Sequence, residues 1–365
     1  MTFPLPATAY ALPLVAPFRG LTQRQGMIIE GPAGWGEFAP FADYDTGRDA
    51  HWLAAAVEAA ATPPQSTGEL VRSNAVVPDV EGDDLAASVR DLLTTTGCRT
   101  VKLKVGGRPS GAEVRRISSV YSTAASLVGG VTLRLDANGR YDLDAAGELL
   151  AALTWLDRDV EYVEQPCDTV AELRALKDKF PGVAIAADEA LRRDRQFTAV
   201  SDFADVAIVK VAPIGGVSAV REMVKHIDVP VVISGAAESS VGLSRDAVVA
   251  AELGDPNRAH GLGTGTLLAD DLAGLLTEGQ SKVTRASNVM PAGWLKRSAF
   301  RAIRNLVSDE SQIAGWTRTW RGHWIADMKL SGGPVLRGAD GKGFELRADA
   351  LAAEIDWINR EVLHV

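Results

Sequence analysis

A chain of 365 residues with 46% hydrophobic and 23% charged side chains can bury a barrel-sized core beside a smaller domain, which excludes a disordered protein. The net charge of −9 and the scattered Lys and Arg exclude the concentrated basic face that a phosphate backbone demands, so no nucleic-acid partner is expected. The apolar stretch 3–17 holds Pro4, Pro6, Pro13 and Pro17 and no basic n-region, so neither a signal peptide nor a membrane span is expected and the protein reads as cytoplasmic.

In chain order, apolar or alternating runs at 8–15, 24–30 and 34–38 predict three strands, and 48–61 predicts a helix that Pro63-Pro64 closes. Residues 1–72 are therefore expected to form a small α+β capping domain, completed by a C-terminal segment. From residue 74 the pattern becomes alternation of strand and helix. Strands are expected at 74–77, 100–105, 131–136, 160–164, 183–188, 205–211, 229–234 and 259–263, with amphipathic helices between them, for example at 83–93, 112–127, 143–156 and 216–227. Such alternation implies a parallel sheet, and eight strands suit a closed (β/α)7β TIM-like barrel over 73–280. Beyond residue 280 the pattern loses regularity: 281–343 carries Trp294, Trp316, Trp320 and Trp324 among Gly-rich turns, and an amphipathic helix is expected at 347–363. Cys98 and Cys167 stand far apart without a metal-ligand spacing and are expected to be free thiols, and the five histidines form no metal or triad pattern.

Polar groups recur at the ends of these apolar runs: Lys102 and Lys104, then Asp136, Glu164, Asp188 and Lys210, each about one strand-plus-helix unit from the last. A barrel enzyme assembles its site from the C-terminal ends of several strands, so this placement points to a catalytic centre. Lys102 and Lys104 share the face opposite Val101, Leu103 and Val105, which puts both inside the barrel mouth. Three carboxylates gathered there repel one another unless a cation lies between them. An all-oxygen set with room for water and substrate suits Mg²⁺. The bland alternative, that each acid merely caps the next helix, applies to any one of them but poorly to three at successive strands. Mg²⁺ opposite lysines fits removal of a proton α to a carboxylate, with a small-molecule carboxylate as substrate. Two opposed bases would suit a racemase, and one base with a spectator cation would suit a syn elimination. Ser234 and Gly235 followed by Ser239 precede a new helix and could either bind a substrate carboxylate or simply cap that helix.

The motifs Lys102-x-Lys104, Asp136-Ala137-Asn138, Glu164-Gln165-Pro166, Asp188-Glu189 and Val209-Lys210 resemble the enolase superfamily and, within it, the muconate-lactonising subgroup. Phe18-Arg19-Gly20, Gly31 to Phe38 and Gly261 to Gly265 are similar to the dehydratases of actinobacterial menaquinone biosynthesis, and the likeness covers roughly 8–272. The resemblance implies Lys104 as the base that later protonates the leaving hydroxyl, Lys102 as its support and Lys210 as the stabilising cation. It also implies Mg²⁺ held by Asp136, Glu164 and Asp188. Arg134 would hold the charged site together, Ser234, Gly235 and Ser239 would approach a substrate carboxylate, and Arg19 would lie on a closing loop. It leaves open N-succinylamino acid racemisation, which uses the same residues, and a catalytically silent barrel that only binds. The segment 281–343 has no counterpart in the subgroup, and the oligomeric state stays undetermined by sequence.

Overall fold

The computed structural model describes residues 7–18, 20–41, 46–64, 70–77, 83–155, 160–193, 197–269, 271–272, 288–291, 324–327, 334–344, 349–350 and 352–353. The chain divides into two compact units, the larger comprising Met1–Glu238, Gly242–Leu268 and Thr277–Ser281.

The larger unit begins with an antiparallel sheet of β1 (Ala7–Phe18), β2 (Leu21–Gly31) and β3 (Gly34–Phe38), in that order, with Met27 facing both Ala9 and Phe38. Helix α1 (Thr46–Ala61) packs its Ala56 and Ala60 face on this sheet. The approach is so close that a Cβ on Gly36 would fall 1.8 Å from the Ala56 carbonyl oxygen, so only glycine allows it.

A parallel sheet of seven strands follows: β4 (Asn74–Val76), β5 (Thr100–Lys104), β6 (Thr132–Asp136), β7 (Val160–Glu164), β8 (Ile185–Ala187), β9 (Val206–Val209) and β10 (Val231–Ile233). Each strand pairs with the next in sequence, the order expected when a helix carries the chain back every time. The connecting helices are α2 (Asp83–Thr96), α3 (Ser110–Val128), α4 (Leu143–Trp155), α5 (Val170–Lys179), α6 (Glu189–Arg192), α7 (Val211–Ile214) and α8 (Val217–Val224), with α9 (Ser240–Leu253) after β10. Side-chain alternation sorts the strands as the sequence requires. Val101, Leu103, Leu133, Leu135, Val163, Ala207 and Val209 join the helices in the main core, whereas Tyr162, Ala186, Val206, Ile208 and Val232 fill the interior of the sheet.

The eighth strand expected at 259–263 is reduced to two parallel bridges, His260 to Ser73 and Gly261 to Ser234. Those two residues still join the edge strands: His260 N–H donates to the Arg72 carbonyl at 2.7 Å, and Gly261 N–H to the Ile233 carbonyl at 2.7 Å. The chain then turns into a 3-10 helix at Gly263–Leu267, whose first residue is glycine because a Cβ there would fall 2.1 Å from the Asn74 carbonyl oxygen.

His260 is part of this seam. It is buried, its Nδ1 accepts the Ile233 N–H at 3.0 Å, and burial with Arg134 nearby pushes its pKa down to about 4. The unfolded chain protonates this imidazole first, so stability is lost as pH falls from about 6.5 to 4, by about 3 kcal/mol. Denaturant midpoints at pH 7 and pH 4.5 should show this loss in the parent chain and a smaller one in His260→Asn, and equal losses would refute it.

The smaller unit comprises Ser239–Val241, Ala269–Leu276 and Lys282–Val365. Among its described residues β11 (Asn288–Pro291), β12 (Trp324–Asp327) and β13 (Val335–Leu336) form an antiparallel sheet, and the fully buried Trp324 bridges Phe344. Of the helix expected at 347–363, only 349–350 and 352–353 are described, and they are helical. No helix among the described residues is long and apolar enough to cross a membrane. Cys98 and Cys167 are buried and neither forms a disulfide among the described residues.

Candidate active site

Strand register alone assembles the polar groups. Lys104 on β5 lies opposite Asp136 on β6, and Asp136 opposite Glu164 on β7, while Asp188 and Lys210 directly follow β8 and β9. Their side chains meet at one end of the sheet. Lys104 Nζ donates to Asp136 Oδ2 at 2.6 Å, and Lys102 Nζ reaches the same oxygen at 2.8 Å and Glu164 Oε1 at 2.7 Å. Lys210 Nζ donates to Asp188 Oδ2 at 2.6 Å. As they stand, with ammonium groups turned between them, no three acidic groups among the described residues close into a metal cage.

The electrostatics of this cluster are uneven. Burial and the negative charges of Asp136 and Asp188 push the Glu164 carboxyl up to about 7, although Lys102 opposes the rise. Burial likewise disfavours charge on Asp136, but Lys102 and Lys104 together hold it far below the carboxylate range. The lysines separate in the same way. Two ammoniums share the single Asp136 oxygen, and burial, with Lys102 alongside, leaves Lys104 below an ordinary lysine. Burial also opposes charge on Lys210, but Asp188 outweighs it and holds the ammonium above its ordinary value.

Glu164 Oε2 is buried with no hydrogen-bond partner. A fully buried acceptor left over beside two further carboxylates is what a hard cation would satisfy, so the donor set fits Mg²⁺.

The cavity above this cluster, about 600 Å³ including its open mouth, has an apolar wall formed by Phe18, Phe41, Ala236 and Ala237. Lys102, Lys104, Asp136, Lys210, Ser234 and Gly235 line it as the sequence suggested. Glu164 and Asp188 are fully buried beneath it. Arg134 is not at the cavity: it lies buried deeper in the barrel, donating to Glu161 at 2.7 Å and Asn74 at 3.1 Å with its guanidinium over Tyr162. Ser239 does not line the cavity either. It is buried, and its Oγ accepts the Val241 N–H at 3.2 Å, the capping alternative. Arg19 lies outside the described residues.

Several cavity groups escaped the sequence reading as site residues. Asn138 holds a left-handed backbone (φ 49°) so that its Oδ1 accepts from Lys104 Nζ at 2.7 Å while its N–H donates to Asp136 Oδ1 at 3.1 Å. Arg192, four residues after Asp188 and on the same face of α6, donates to Asp188 Oδ1 at 3.1 Å and Glu189 Oε1 at 2.6 Å. Thr264 lines the cavity with a buried Oγ1 that has no hydrogen-bond partner. The i to i+4 spacing could have exposed Arg192. Nothing local marks Thr264, which the turn after Gly263 delivers.

Residues 9–60 match the family model described as Enolase N-terminal domain-like, and 84–276 match Enolase C-terminal domain-like. The chain is 42% identical over 269 residues, 72% of its own length and 80% of the relative's, to an o-succinylbenzoate synthase of Mycolicibacterium smegmatis. It is 41% identical over 269 residues to the Mycobacterium leprae protein of the same name, covering 72% of this chain and 77% of that one. Among solved structures, the L-Ala-D/L-Glu epimerase from Bacillus subtilis superposes with a TM-score of 0.62 at 21% identity, covering 77% of this chain and 95% of that one. Muconate lactonizing enzyme from Pseudomonas fluorescens does so with a TM-score of 0.63 at 16% identity, covering 77% and 91%.

Proposed function

The chain belongs to the enolase superfamily, and from that membership we propose that it is an o-succinylbenzoate synthase, a hydro-lyase that dehydrates 2-succinyl-6-hydroxy-2,4-cyclohexadiene-1-carboxylate to 2-succinylbenzoate.

The observation that carries this reading is the asymmetry of the two opposed lysines. Lys104 shares one carboxylate oxygen with a second ammonium and gives up its proton more readily than a free lysine, as a base must. Lys210 keeps Asp188 close and stays charged. In the proposed reaction Lys104 Nζ takes the proton α to the substrate carboxylate, and the electron pair left behind delocalises into that carboxylate as an enediolate. The resulting Lys104 ammonium returns the proton to the departing hydroxyl, so water leaves from the same face and the ring becomes aromatic. Lys102 keeps Asp136 and Glu164 in place, and Lys210 offers its positive charge to the opposite face of the developing anion. Asp136, Glu164 and Asp188 would hold Mg²⁺, which when bound supplies the positive charge that stabilises the substrate carboxylate as it gains electrons. Ser234, Gly235 and the free hydroxyl of Thr264 are the cavity groups available to the succinyl end.

The test is turnover of both candidate substrates by the purified chain. Dehydration that EDTA abolishes and Mg²⁺ restores is expected. Racemisation of N-succinylamino acids without dehydration would overturn the assignment.

Ion binding should also depend on pH. Glu164 must lose the proton it holds up to about pH 7 before it can ligate. Mg²⁺ affinity is therefore expected to rise about tenfold per pH unit below 7 and to level off above it. Titration calorimetry at pH 5.5, 6.5 and 8 in buffers of different ionisation enthalpy would reveal the released proton. Equal affinity at all three would remove Glu164 from the ligand set.

A further inference from the structure

We propose that Arg24, on the capping sheet, is a positioning residue for the substrate cavity, one buried guanidinium that ties together the two chain segments of its apolar wall and so sets how the bound acid is gripped. The specificity half of this inference rests on the function proposed above.

Arg24 is 2% exposed and lies at a crossing of chain segments that are distant in sequence. Its Nε donates to the Ala237 carbonyl at 3.0 Å, and Nη2 reaches the Ala236 carbonyl at 3.4 Å. On the other side Nη1 donates to the Pro40 carbonyl at 3.1 Å, and Nη2 donates to that of Ala39. The guanidinium carbon lies over the Phe41 ring, 4.3 Å from its centre, and 5.9 Å from that of Trp52. Phe41 from one of these segments and Ala236 and Ala237 from the other pack together in the apolar wall of the cavity. A fork of fixed donor directions can hold two backbone segments in one geometry, which a flexible ammonium cannot do.

The surroundings explain why a cation is kept in so dry a place. Glu37 on β3 takes a hydrogen bond from Tyr10 and another from Gly242 N–H at 2.9 Å, and Glu238 accepts the Ala236 N–H. Asp246 on α9, buried with one oxygen unpartnered, adds a third carboxyl near both. Burial and Glu37 push the Glu238 carboxyl up to about 7, while Arg24 lowers it. Arg24 thus links the charge balance of this cluster to the loop that shapes the cavity.

The experiment compares the full chain with Arg24→Lys and Arg24→Gln in the presence of Mg²⁺, with Glu238→Gln as a variant that keeps side-chain size but removes the charge beside Arg24. Arg24→Lys is expected to raise KM for the cyclohexadiene acid about tenfold. The value of kcat should stay within about threefold, and Mg²⁺ affinity should be unchanged, because the reacting groups are not displaced. Amide hydrogen exchange should quicken in peptides covering 36–41 and 235–238 and not in those covering 100–104 and 132–136, with a smaller effect of the same kind in Glu238→Gln. Unchanged KM and exchange in these variants would overturn the inference. So would a parallel loss of kcat and Mg²⁺ affinity, which would make Arg24 a support of the whole barrel. If Arg24 variants do not fold, Glu238→Gln decides by the same readouts. If the parent chain does not dehydrate the acid, the function falls while the exchange measurement still decides whether Arg24 ties the two segments.

Discussion

Replacing Lys104 by alanine should lower kcat for dehydration by at least about 10²- to 10⁴-fold while leaving the fold intact, because it removes the group that both takes and returns the proton. The same loss is expected in kcat/KM, since the missing interaction belongs to the transition state. Structural cost should be small: Asp136 keeps Lys102 at 2.8 Å as its counter-ion, and the vacated space opens onto the cavity. Lys104→Arg should fail almost as badly, because a guanidinium does not give up its proton. The kcat/KM of the parent chain should rise with pH until Lys104 is neutral, at a pH below that of an ordinary lysine. Dehydration by Lys104→Ala within a few fold of the parent would remove this residue from the chemistry.

The second large effect runs in two directions at once. Glu164→Gln should abolish Mg²⁺-dependent turnover and make the metal-free protein more stable above pH 7. The carboxyl is held at about 7 in the fold and near 4.5 when unfolded, so the folded state binds its proton more tightly. Stability is therefore lost as pH rises from 4.5 to 7, and above 7 the ionised carboxylate costs the fold about 3 kcal/mol. A neutral amide avoids that cost. Urea unfolding in EDTA should show the variant gaining up to about 3 kcal/mol at pH 8 and little at pH 4.5. A variant less stable than the parent at pH 8 would mean that the pairing with Lys102 outweighs the repulsion from Asp136 and Asp188. The cost fits the proposed function: carboxylates that would share a cation repel one another without it.

Particular residues show how much of this was legible beforehand. Asp136, Glu164, Asp188 and Lys210 were readable because each closes an apolar strand, and parallel strands all end their polar groups on one side. Lys102 and Lys104 followed from period-two alternation with no knowledge of partners. The expected strands begin too early at Val183–Ala184, ahead of the ladder, and run too far at Lys210–Val211, where the chain leaves it for a short helix. The four-residue helices α6 and α7 carry too few residues to show a helical period. The resemblance implies that Arg134 holds the charged site together and that Ser239 approaches a substrate carboxylate, whereas depth and direction decide each partner. Arg134 is claimed by Glu161 and Asn74, and Ser239 by the start of its own helix.

The sequence by itself determined the alternation of strand and helix, the inward and outward faces of each strand, and hence which charged groups share the mouth of the barrel. These are properties of short periods, and a period needs only neighbours along the chain. The tertiary structure alone decided that Phe41 and Ala237 meet under one guanidinium, that Thr264 brings a free hydroxyl to the cavity, and that two lysines compete for one oxygen of Asp136. Such meetings depend on closure of the sheet and on distances of a few ångströms between segments far apart in sequence, to which local pattern is blind.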